Sequence, residues 1–134
     1  MTARALVLCA ATLWAIPASA DVTYSVIGAG KVSCGSFITE SKSRGPLFWS
    51  EVSWIEGYVS GANGAMQTDL YNQYPGDALA PARQRLDFFR TTHDTKAMIV
   101  WMESYCRAHP LNNLADAASA LAGELLSRSE RSGN

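Results

Sequence analysis

Two cysteines are the residues whose chemistry is easiest to predict from this sequence. Cys34 and Cys106 lie outside the N-terminal apolar run that contains the third cysteine, Cys9. In an exported protein, two cysteines most simply form a disulfide. A disulfide that closes the loop from residue 34 to residue 106 would stabilise the fold by up to ~4.5 kcal/mol. A nucleophile would instead need a free sulfur with a lowered pKa, so we expect a structural disulfide between Cys34 and Cys106.

A zinc site is a second chemistry to consider, because Cys106 and His109 could begin a ligand set. A structural zinc ion usually takes four nitrogen or sulfur ligands. Without Cys9 the chain has two cysteines and two histidines, and all four would have to converge. His109 is explained more simply as a cation at a helix C-terminus. We therefore expect no metal and no cofactor.

Two glutamates, Glu51 and Glu56, are the candidates for acid–base catalysis. A pair of carboxylates across a cleft is the arrangement that glycoside hydrolases use. Residues five apart on a helix do not share a face, however. We expect both carboxylates on a solvated surface, and a small cell-envelope hydrolase using this pair is the alternative function.

The first 20 residues have the pattern of a secretory signal peptide. Arg4 precedes an apolar run from Ala5 to Ile16, and an Ala-x-Ala segment ends at Ala20. This arrangement predicts cleavage between Ala20 and Asp21, and a periplasmic or secreted product. The apolar run is too short to cross a bilayer core of ~30 Å.

The remaining residues, 21–134, have the length of a single domain. Without Arg4 the chain has ten basic and twelve acidic residues. This near-neutral balance gives no basic footprint for nucleic acid or for an anionic membrane. No second apolar segment is long enough to insert the mature chain into a membrane.

Apolar residues at helical spacing predict an all-α fold, a small compact bundle of about four helices with one disulfide. The expected helices cover residues 34–42, 47–66, 94–108 and 113–128. Ser33 would cap the first of these helices, and Thr92 or Asp94 the third. An irregular lead-in, an irregular connector and a frayed tail are expected over residues 21–32, 67–92 and 128–134. Within that connector, residues 83–90 are compatible with one or two turns of helix.

Two details of packing follow from the same spacing. Gly57 and Gly61 are four apart, so they should leave a shallow groove for a neighbouring helix. Trp101 belongs to an apolar stripe with Met98, Met102 and Tyr105, which predicts that its indole is buried between helices.

The aromatic residues exceed what a core of this size can enclose. Aromatic side chains often anchor protein interfaces. The candidate partner-binding residues are Tyr71, Tyr74, Phe88, Trp49 and Trp54.

Three segments together resemble a group of small exported bacterial proteins. They are Cys34-Gly-x-Phe37, Trp54-Ile-x-Gly-Tyr-x-x-Gly-x-Asn63 and Trp101-x-x-x-Tyr-Cys-x-x-x-Pro-Leu111. Their layout resembles the Rap/Tai-type immunity proteins of type VI secretion and, more distantly, the HdeA-type periplasmic acid chaperones. The resemblance implies a compact all-α domain that binds another protein, either a toxin or unfolded clients.

These observations predict an exported, soluble protein-binding module that is not an enzyme. It would be immunity- or inhibitor-like, or chaperone-like, with an unknown protein as its partner. Besides the hydrolase, a structural subunit of an envelope assembly is a third alternative.

Overall fold

The computed structural model describes residues 25–74, 76, 87 and 94–132. Within these residues the fold is all-α, as predicted, and contains four α-helices and one short 3-10 helix. The 3-10 helix covers Gly28–Lys31, and the α-helices are α1 (Cys34–Glu40), α2 (Pro46–Gln73), α3 (Thr95–Ala108) and α4 (Leu114–Ser132). The signal peptide with its Ala20–Asp21 junction lies outside the described residues. So do the expected turns over 83–90, apart from Asp87.

Helix α1 begins where the sequence predicts. The hydroxyl of Ser33 accepts a hydrogen bond from the backbone N–H of Ser36 at 3.1 Å, which satisfies one of the free donors at the helix start. The helix ends two residues earlier than expected, at Glu40. Arg44, with φ of 50°, then turns the chain toward α2.

Helix α2 is longer than expected, because it continues past Met66 to Gln73. Pro46 occupies its first turn, where a missing N–H costs nothing. The predicted apolar stripe is confirmed in the first half of α2, whose buried apolar side chains are Phe48, Val52, Ile55 and Val59. Ala62 and Met66 are only partly buried against the core. The first half therefore holds the bundle together, whereas the second half leaves the core.

The expected helix-packing groove at the glycines of α2 is wrong for the described residues. A Cβ built on Gly57, Gly61 or Gly64 meets none of their atoms within 4 Å. All three glycines are exposed.

Helices α3 and α4 both begin at side-chain caps. Asp94 accepts a hydrogen bond from the backbone N–H of Lys96 at 2.8 Å. Asn113 and Asp116 exchange two such bonds, because each side chain accepts from the other residue's N–H. His109 follows the last residue of α3, as its neighbour Pro110 predicts. Helix α4 does not fray at residue 128 as expected; it continues to Ser132, and Ser129 is fully buried.

A disulfide between Cys34 and Cys106 is confirmed, with the two Cα atoms 4.7 Å apart. Both cysteines are fully buried in the core. Backbone hydrogen bonds beside the disulfide join the same parts of the chain. Cys34 donates to the carbonyl of Asn112 at 2.8 Å, and Leu114 donates to the carbonyl of Val32 at 2.9 Å. The start of α1 is thus fastened to the turn between α3 and α4.

Packing of α4 on α2 completes the core. The alanines of α4, including Ala117 and Ala118, are buried and let the two helices approach. The hydroxyls of Tyr58 on α2 and Ser119 on α4 lie 2.6 Å apart and share a hydrogen bond. None of the described helices has a stretch that is both long and apolar enough to cross a membrane.

Candidate functional site: a pocket beside Trp101

A pocket of about 410 Å³ lies where α2, the start of α3 and the second half of α4 meet. We call it the Trp101 pocket. Its apolar lining is formed by Val59, Met98, Trp101, Leu121 and Leu125, and its charged lining by Glu56, Asp94, Glu124 and Arg128. The volume is in the range of sites that bind small ligands or inserted side chains.

The apolar lining is continuous with the core of the bundle. Val59, Leu121 and Leu125 are buried, whereas Met98 and Trp101 are partly buried and pack against them. The side chains that build the core thus also form the pocket floor. Residues of three helices, α2, α3 and α4, therefore form the floor.

The indole of Trp101 is not enclosed between helices, which corrects the sequence-based expectation. Trp101 lines the pocket and remains partly exposed. Its ring stacks on that of Tyr105 with centroids 5.4 Å apart, and Tyr105 stacks in turn on His109 at 4.4 Å. The stack fixes the orientation of the indole at the pocket wall.

Four charged side chains at the pocket differ in how they are paired. Arg128 Nε donates to Glu124 Oε1 at 2.8 Å, and this hydrogen bond lowers the pKa of Glu124. Glu56 Oε1 accepts from the hydroxyl of Thr95 at 2.7 Å. Asp94 accepts from the N–H that it caps. Glu124 therefore has a cationic partner, whereas Glu56 and Asp94 are held by neutral donors.

Glu51 lies in a different environment from Glu56, as their spacing predicts. Glu51 is only 6% exposed, and its Oε2 has no hydrogen-bond partner among the residues that the structure describes. Burial raises the pKa of Glu51, and the nearby carboxylate of Glu40 raises it further. The expectation of a solvated surface is therefore wrong for Glu51. Glu51 is not among the residues that line the Trp101 pocket.

The candidate partner-binding aromatics are spread along the molecule. Trp49, Tyr71 and Tyr74 are exposed, at 47%, 53% and 54%. At 1.5 Å per residue, Trp49 and Tyr71 lie roughly 33 Å apart along α2. Trp54 is half-buried and stacks on Tyr58 at 5.4 Å, and Phe88 lies outside the described residues. The exposed aromatic side chains thus fall into two separate groups, at opposite ends of α2.

The cysteines and histidine that could have carried chemistry are engaged elsewhere. Both sulfurs are in the disulfide. Nδ1 of His109 lies 3.0 Å from the carbonyl oxygen of Tyr105, at the end of α3. Within residues 25–74 and 94–132, no three metal-binding side chains converge.

Sequence reasoning named some residues of the Trp101 pocket without identifying the pocket. It treated Glu56 as a possible catalytic carboxylate, Asp94 as a cap and Trp101 as core. It did not consider Glu124 or Arg128 at all. Their convergence depends on how α4 packs on α2, which no local spacing reveals. No family model, characterised protein or solved structure matches this chain.

Proposed function

We propose that this chain is an exported protein-binding module that acts without catalysis, as an immunity- or inhibitor-like protein or as a chaperone-like one. The Trp101 pocket is the observation that carries the proposal. It combines an apolar floor with an indole and a charged rim, the composition typical of a pocket that receives a partner's side chain.

The alternative, a hydrolase using Glu51 and Glu56, has less support. General acid catalysis needs a carboxyl group whose pKa is raised and which also reaches the substrate. Here these two properties belong to different residues. The pKa of Glu51 is raised, but Glu51 does not line the pocket. Glu56 lines the pocket but lies on another face of α2 from Glu51.

The exposed aromatics of α2 give the proposal additional support. Tyr71 lies in the last turn of α2, Tyr74 directly follows the helix, and both side chains are exposed. Tyrosines of this kind combine apolar area with a polar hydroxyl and are frequent anchors in interfaces. We therefore keep them as a second candidate contact region, separate from the pocket.

Affinity capture with matched variants tests the binding function. Residues 21–134 with an intact disulfide would be immobilised and exposed to envelope extract, and captured proteins identified by mass spectrometry. A partner retained by the wild type should be reduced severalfold by Trp101→Ala or by Tyr71→Ser with Tyr74→Ser. Glu103→Gln is the matched control, because Glu103 pairs with Arg107 at 2.7 Å and does not line the pocket.

Two outcomes would contradict the proposal. One is a biological effect that Glu51→Gln with Glu56→Gln abolishes, while the aromatic variants retain it; this would favour the hydrolase. The other is a captured partner whose binding no surface variant changes. Thermal unfolding of each variant would show that lost binding is not lost fold.

A further inference from the structure

The charges at the Trp101 pocket do not balance. Three carboxylates and one guanidinium line it, and the guanidinium of Arg128 is committed to Glu124. Arg131 approaches the same oxygen of Glu124 at 3.9 Å. Among the described residues, Glu56 and Asp94 form no ion pair. Within that described part of the chain, the side of the pocket formed by α2 and the start of α3 therefore has two carboxylates without a cationic partner.

The floor beneath these carboxylates suits a particular kind of cation. An arginine side chain has an apolar stem that can cover Met98 and Leu125, and a planar guanidinium that stacks on aromatic rings. Tryptophan is the best aromatic partner for such a cation. The same guanidinium presents several N–H donors in a fixed fork that matches carboxylates. The rim already holds one guanidinium, because Arg128 Nε donates a hydrogen bond to Glu124 Oε1 at 2.8 Å.

We propose that the Trp101 pocket receives an arginine side chain from the surface of a partner protein. The guanidinium contacts the carboxylates of Glu56 and Asp94, and its stem lies along Trp101 and the apolar floor. This inference rests on the proposed binding function, and it specifies the chemistry of the partner. Charge complementarity selects arginine over an apolar anchor, since an apolar side chain would leave both carboxylates without a cation.

A pair of small probes tests the assignment without the partner. The first is N-acetyl-leucyl-arginine amide. The second replaces arginine with citrulline, which has nearly the same shape and no charge. Each would be titrated into ¹⁵N-labelled residues 21–134 with the disulfide intact, and amide and indole N–H shifts followed by NMR. We expect the arginine probe to shift the NMR signals of the Trp101 indole N–H and the Thr95 amide. It should bind at least roughly tenfold more tightly than the citrulline probe. Added salt should weaken its binding.

Conservative variants identify the groups that bind the probe. Glu56→Gln with Asp94→Asn removes both charges but keeps an oxygen to accept from Thr95 and to cap α3. The affinity of this double variant for the arginine probe should fall to the level of its affinity for the citrulline probe. Glu103→Gln changes a carboxylate of α3 that lies outside the pocket. This control variant should bind the arginine probe as tightly as the wild type does. Trp101→Ala should also weaken binding.

Three results would overturn the proposal: equal affinity for the two probes, shifts confined to residues outside the pocket, or full affinity in the double variant. Equal affinity would mean that the pocket accepts apolar groups without regard to charge. The result would be independent of the capture experiment. A partner captured through Tyr71 and Tyr74 would leave the binding function intact even if the arginine probe failed.

Discussion

Gly30 lies directly against the indole of Trp54. A Cβ built on Gly30 would lie 2.6 Å from Trp54 Cη2, and closer still to Cζ2 of the same ring and to Cγ1 of Val26. Gly30 is buried in the 3-10 helix that packs on α2. The 3-10 helix is therefore part of the packed domain, and the absence of a side chain at position 30 is what lets it cover Trp54.

We predict that Gly30→Ala destabilises the protein by about 1–3 kcal/mol, because the added methyl would overpack a ring held by its stacking on Tyr58. Urea unfolding measures the change. Gly57→Ala is the matched control: a Cβ there meets none of the described atoms within 4 Å, and alanine is favoured over glycine in a helix by up to about 1 kcal/mol. Equal stability of the Gly30 variant and the wild type would mean that the 3-10 helix does not hold its position on Trp54.

Reducing the disulfide should lower stability substantially. Cys34 and Cys106 are 72 positions apart, and loop closure of this size contributes up to ~4.5 kcal/mol in the chain-entropy model. Thermal unfolding with and without reductant gives the effect. Reductant should leave the midpoint of a Cys34→Ala, Cys106→Ala variant unchanged. A wild-type midpoint that reductant does not move would show that the hydrogen bonds around Val32 and Asn112 suffice.

Glu51 predicts an unusual dependence of stability on pH. Because its pKa is raised in the folded state, the folded protein keeps a proton that the unfolded chain releases above about pH 4.5. The favourable contribution of protonated Glu51 is fully present below about pH 4.5. It is lost as pH rises from there through the raised pKa of the folded state. Above the folded-state pKa, a charged carboxylate is buried, and none of the described residues hydrogen-bonds to its Oε2.

Glu51→Gln should consequently be more stable than the wild type at neutral pH, by roughly 1 kcal/mol or more. The difference should shrink as pH falls toward the ordinary glutamate range. Urea unfolding between acid and neutral pH measures both curves, and the exposed Glu130→Gln serves as the control. A wild type that stays more stable than Glu51→Gln at neutral pH would indicate that this carboxylate gains a partner in solution.

Local signals in the sequence predicted the helices well, for identifiable reasons. Ser33 and Asp94 cap helices because short acceptors satisfy free N–H groups, and Phe48, Val52, Ile55 and Val59 mark a helical stripe by their spacing. The extent of α2 was underestimated. Its glycines cost helix propensity, yet the helix continues for about two turns beyond Met66, to Gln73.

The candidate site could not be predicted in the same way. The burial of Glu51 runs against the usual preference of a carboxylate for water, so its type and spacing indicated a solvated position. Trp101 shows the converse: its apolar type and stripe indicated burial, whereas tertiary packing leaves it at a pocket wall. Both outcomes depend on how α1 and α4 pack on their neighbours.

Trp101 and Phe48 should respond differently to truncation, because only one of them is fully enclosed. Phe48 has no exposed surface and stacks on Phe37 with centroids 5.5 Å apart. We expect Phe48→Ala to cost about 3–5 kcal/mol, as large core truncations do. Trp101 is partly exposed at the pocket, so Trp101→Ala leaves a space that water can enter and should cost clearly less, about 1–2 kcal/mol. Urea unfolding of both variants gives the comparison. If Trp101→Ala were as destabilising as Phe48→Ala, the indole would act mainly as a core residue, and lost binding in that variant could no longer be assigned to the pocket.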